Sequence, residues 1–123
     1  MVAIELRDGE LIVRLLGWDR IRALRSSVTV PFAHVAGVRA HPSEAYFDDA
    51  IVDSTRGVGT YVPGVLAVGT VELADGRAFY DVWDPRQAIA IDLVNEPLQH
   101  LVVEVRGEAP EETVQRIQQA VWH

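Results

Sequence analysis

The chain has 123 residues, 49% of them apolar and 24% charged, a balance ordinary for one soluble globular domain spanning residues 1–123. Eleven basic residues, all arginine, stand against 18 acidic ones, and the resulting charge of −7 works against nucleic-acid phosphate and anionic lipid. Cysteine is absent, which excludes disulfides and thiolate metal sites.

Val2, Ile4 and Leu6 alternate with Ala3, Glu5 and Arg7, the period of a half-buried strand. Glu5 and Arg7 precede any long apolar run, which is not a signal-peptide pattern, and no stretch reaches the length of a membrane span, so a cytoplasmic protein is expected. Asp8-Gly9 then leads to Leu11, Val13 and Leu15, again in alternation. Asp-Gly between such runs is a hairpin signal, because a type I′ turn needs positive φ at both central residues. Trp18, Ile21 and Leu24 fall three apart and predict a helical turn or two. Ser27–Pro31 reads as a short strand with Pro31 at its end or at a bulge, and Gly37 between Val35 and Val38 marks a bulge.

From His41 to Gly64 periodicity is weak, and the segment reads as one long loop, a place where function or disorder concentrates. Val65–Leu73 and Arg77–Trp83 flank Asp75-Gly76 as a second hairpin. Asp84-Pro85 turns the chain into Gln87–Leu93, and Leu101–Arg106 alternates once more. Pro110 at a first helical position, Glu111 and Glu112 in the first turn, and Val114, Ile117 and Val121 as an apolar stripe predict one C-terminal helix.

A lone amphipathic helix after a meander of short strands has to dock, and capping the open end of a small barrel buries both surfaces. The chain resembles the small bacterial pleckstrin-homology-like (PH-like) proteins in Val30-Pro31-Phe32-Ala33-His34-Val35-Ala36-Gly37-Val38, in Gly59-Thr60-Tyr61-Val62-Pro63-Gly64 leading to Gly69-Thr70, around Phe79-Tyr80-Asp81-Val82, and in Leu101–Val105 before a Pro-Glu-Glu helix start. The resemblance implies a mainly β fold: a small antiparallel barrel of seven or eight strands capped by one α-helix. Phosphoinositide-binding PH domains place clustered cations on the first hairpin. Here that turn is Arg7-Asp8-Gly9-Glu10, so neither headgroup binding nor membrane insertion is expected.

Other constellations are weak. Arg14, Arg20, Arg22 and Arg25 read as a solvated face, without the aromatics of a nucleic-acid module. Glu44, Asp48, Asp49 and Asp53 fit no EF-hand spacing. Arg56-Gly57-Val58-Gly59-Thr60 lacks the Gly-Lys-Ser/Thr ending of a phosphate loop. His34, His41, His100 and His123 are scattered, and no serine sits in a nucleophile elbow. No catalytic residue, metal or cofactor is therefore assigned.

The reading is a non-catalytic interaction module for a protein or peptide partner, or for itself. Leu66, Val68, Trp83, Val102 and Trp122 are its candidate surface, and the strands around Leu66, Val68 and Val102 are candidate edges for self-association. The alternative is a small-molecule binder or enzyme that uses the barrel mouth and the 41–64 loop, with Tyr46, Phe47 and Tyr61 lining the pocket.

Overall fold

The computed structural model describes residues 1–17, 26–41, 57–62, 66–73 and 76–122. Among them are nine strands: β1 (Val2–Arg7), β2 (Glu10–Leu15), β3 (Ser27–Pro31), β4 (Val35–Ala40), β5 (Gly57–Val62), β6 (Leu66–Leu73), β7 (Gly76–Val82), β8 (Ala88–Leu93) and β9 (Leu98–Glu104). One α-helix, α1 (Pro110–Val121), follows, and short 3-10 turns lie at Phe32–His34 and Pro85–Gln87. No described helix is long and apolar enough to cross a membrane.

The first three strands form an antiparallel sheet in the order β1-β2-β3. Asp8 and Gly9 have φ of 54° and 75°, as a type I′ turn requires, and they set the register that pairs Leu6 with Leu11 and Val2 with Leu15. Pro31 closes β3 opposite Glu10. The other six strands form a second sheet in the order β4-β8-β9-β7-β6-β5. The expected bulge at Gly37 is present, between Val35 and Gly37 where β4 pairs with β8.

The expected small barrel is corrected in three respects. Among the described residues the strands lie in two sheets with no closed barrel. Nor is the pairing wholly antiparallel: β7 and β9 run parallel, with Ala78 beside His100 and Tyr80 beside Val102. Finally, β5 falls inside the segment read as a loop. It pairs with β6 from Gly57↔Val71 to Val62↔Leu66, and the glycines at 57 and 59 hid it, since they contribute no side chain to an alternation. The helical turn expected over Trp18–Arg25 lies outside the described residues.

Alternate residues of both sheets meet in the main core. Val2, Leu11, Val13, Leu15 and Val30 of the first sheet pack with Phe79, Ile89, Ile91, Leu101 and Val103 of the second. A second cluster, Ala78, Tyr80, Val82, Ala88, Ala90 and Val102, lies on the opposite phase of the same strands. The middle of the second sheet is thus buried on both faces. Val102 is 0% exposed, so it is a core residue and not part of a surface; β6 and β9 are interior strands, so neither offers an edge for self-association.

The two sheets are tied beside the end of β9. Beyond its end, Val105 bridges to Val2, and Arg106 N–H donates to the Val2 carbonyl (3.1 Å). The Met1 ammonium reaches 2.5 Å from Asp81, a fully buried carboxylate on β7. The helix packs chiefly on β4, with smaller contacts to β1 and β8; Ile117 is fully buried, and Val114 and Val121 are partly buried against the main core. Arg116 fastens it further, donating to the Ile4 carbonyl (3.2 Å) and to Glu108 (2.6 Å). His41, just past β4, pairs with Glu111 in the first helical turn.

Two expectations follow. Ile117→Ala removes a fully buried branched side chain from the helix–sheet contact and should cost about 2–4 kcal/mol, read by chemical denaturation. Acid should loosen the helix. The Glu108 carboxyl is held below its usual value near 4.5, first by the hydrogen bond from Arg116, and the Glu111 carboxyl likewise by that from His41. A carboxylate lowered by folding contributes stability that is full above the unfolded value and is lost as pH falls through the folded one. The denaturation midpoint should therefore decline below about pH 4.5, and Glu108→Gln should flatten that acid limb.

Candidate functional site

The corner that follows β7 is the best-defined exposed feature. Inside β9, Glu104 is only 4% exposed, and its Oε1 accepts hydrogen bonds from the backbone N–H groups of Trp83 and Asp84, both at 2.7 Å. Asp84 in turn accepts from the Arg86 backbone N–H (3.0 Å) and pairs with its guanidinium (3.1 and 3.2 Å). Those hydrogen bonds hold the Asp84 carboxyl below its ordinary value. Gln87 N–H closes the 3-10 turn onto the Asp84 carbonyl, and Val105 N–H donates back to Gln87. The backbone of residues 83–87 is thereby fixed to the end of β9, while the Trp83 side chain remains 40% exposed.

A buried carboxylate facing two amides is a charge-assisted clamp, stronger than a neutral pair. It accounts for a glutamate at a position that the fold buries.

A cleft of about 280 Å³ lies elsewhere, where β3 approaches the starts of β7 and β9. Ser27–Val30 form one wall; Thr70, Arg77, Leu93, Glu96, Pro97 and Leu98 form the other. Glu96 is held there by His34 at 2.5 Å, a contact that joins the turn before β4 to the turn before β9. A third polar group crosses β4, β8 and β9: Arg39 donates to Asp92 at 2.7 Å, and His100 donates to its other oxygen at 2.9 Å. One carboxylate thus serves a guanidinium and an imidazole, and the row is neutralised within itself. His34, His41 and His100 each face a carboxylate on a different element.

Trp83 and Trp122 are exposed, at 40% and 50%, on the β7 corner and at the end of α1. Val102 is interior, as above. Leu66 and Val68 lie on β6 and Tyr61 on β5, with their side chains outside the description; Tyr46 and Phe47 lie outside the described residues, as do Glu44, Asp48, Asp49 and Asp53. Among the described residues no three His, Asp or Glu side chains gather as metal ligands. Glu104 was missed by the sequence reading, which places it on the outward phase of its strand, where a charge is ordinary.

No family model, curated protein or solved structure matches this chain.

The clamp is testable apart from any partner. Glu104→Ala deprives two backbone amides of their acceptor and should lower stability by about 2–4 kcal/mol in denaturant titration, whereas Glu104→Gln keeps a carbonyl acceptor and should cost about 1 kcal/mol.

Proposed function

We propose that the chain is a non-catalytic, cytoplasmic interaction module of the PH-like kind, and that it binds a protein or peptide partner through the corner carrying Trp83. The observation that carries this reading is an exposed tryptophan on a backbone that a buried carboxylate holds rigid. Tryptophan is among the side chains that dominate binding energy at interfaces, and a pre-ordered backbone reduces the entropy lost on association. Trp122 supplies a second exposed aromatic.

Kinship with the PH-like proteins is supported by the order of elements, strands first and one docked C-terminal helix last. The parallel β7–β9 pair stands against it. Asp8 and Glu10 are exposed at the first hairpin and the net charge is −7, features that favour a partner of opposite charge over a lipid headgroup or nucleic acid.

Affinity capture with the wild type and with Trp83→Ala, followed by titration of the captured partner, tests the reading. The variant should keep the wild-type unfolding midpoint within about 0.5 kcal/mol, as an exposed substitution does, and should bind at least tenfold more weakly. Equal binding by the two proteins would remove Trp83 from the interface.

A further inference from the structure

The outer edge of β3 has a hydrogen-bonding pattern that fits its own copy. Leu15 N–H donates to the Ser26 carbonyl and Phe32 N–H to the Gly9 carbonyl, both at 2.9 Å, at the two ends of the β2–β3 ladder. Hydrogen-bonded and non-bonded pairs alternate along an antiparallel ladder. With Leu11 opposite Val30 and Val13 opposite Val28, it is Val28 and Val30 that turn their backbone groups toward β2. Ser27, Thr29 and Pro31 therefore turn theirs outward. Proline is tolerated at the end of this strand because its missing N–H would have pointed away from the sheet. Among the described residues no strand pairs with that edge.

We propose that β3 pairs antiparallel with the β3 of a second copy, on a twofold axis at Thr29, so that the first sheet continues as β1-β2-β3-β3-β2-β1 across the dimer. In that register each Thr29 N–H meets the carbonyl of the partner's Thr29. Each Ser27 N–H meets the carbonyl of the partner's Pro31. Every outward N–H of β3 is used, and the missing N–H of Pro31 leaves only the Ser27 carbonyl without a strand donor.

The side chains agree with the pairing. Buried Val28 falls opposite the partner's Val30, continuing the apolar inner face, and exposed Thr29 falls opposite its own copy. Thr–Thr and β-branched pairs across strands are favourable ones. Ser27–Pro31 carries no charge, although charge is the usual means of blocking an edge, and a closed twofold pairing leaves no edge to propagate. A charge of −7 on each copy opposes the contact, so it should strengthen with salt. The inference stands on the sheet edge and not on the Trp83 corner.

The test uses the absence of cysteine from the natural chain. A hydrogen-bonded antiparallel pair sets its Cα atoms about 5.5 Å apart, within disulfide range. Thr29→Cys under mild oxidation with dithiodipyridine should give a cross-linked dimer on a non-reducing gel. Ser27→Cys, on the same strand and equally exposed, falls opposite Pro31 and should remain monomeric.

In sedimentation velocity, the wild type should shift toward dimer with rising concentration in 0.5 M salt. Thr29→Pro removes an outward N–H without touching the β2 ladder and should abolish the shift; if it unfolds, Thr29→Lys, which sets like charges face to face, should do the same. Trp83→Ala should leave the shift intact. A wild type that stays monomeric at about 200 µM in screened conditions, or equal cross-linking of the two cysteine variants, overturns the proposal. Dimerisation that survives at Thr29 but is lost with Trp83→Ala also overturns it, and places self-association at the other surface.

Discussion

The structure depends on β9 having a neighbour at each edge and a packed layer on each face. Its edges are taken by β8, antiparallel, and β7, parallel. Leu101 and Val103 enter the main core, while Val102 enters the cluster on the opposite face. A strand with no solvated side tolerates a polar group only when that group is bonded. The two polar residues on its second phase are therefore both committed, His100 to Asp92 and Glu104 to the amides of Trp83 and Asp84. What is exposed on this protein is in part decided by what β9 had to satisfy inside.

The same strand joins the two sheets. Val105, just past its end, touches Val2 of β1; Leu98, at its start, lines the cleft beside β3. The narrow first sheet is thus tied to the wider one just past the end of β9, while a cleft separates the two beside its start. Helix α1 then packs mainly on β4, at the edge of the second sheet, and reaches β1 and β8 beside it. This arrangement leaves two different kinds of surface: a rigid corner with an aromatic on it, and a short uncharged strand edge beside a cleft.

Much of this was readable where the signal was local. Alternation located β1, β2, β3, β6, β7 and β8 to within a residue or two, and Asp8-Gly9 specified its turn because few residue pairs accept two positive φ angles. The helix was legible from Pro110, Glu111, Glu112 and the stripe through Ile117. Long-range pairing was not. Nothing in Gly76–Val82 or Leu98–Glu104 says that they lie parallel, since that depends on which edges remain after the hairpins have formed. Val102 was misread for a related reason: a strand buried on both faces shows the same apolar alternate as one with a sticky outer face. Glu104 looked like an ordinary outward charge, and only the two amides it meets make it structural.

The position of β9 in the chain bears on the order of events during synthesis. Strands β7 and β8 emerge before the strand that lies between them, and for that interval each presents a bare edge with apolar residues on both phases. The helix that covers β1 and β4 emerges later still. The second sheet therefore lacks its centre until residues 98–104 join it, and a chain interrupted short of them would expose the facing edges of β7 and β8.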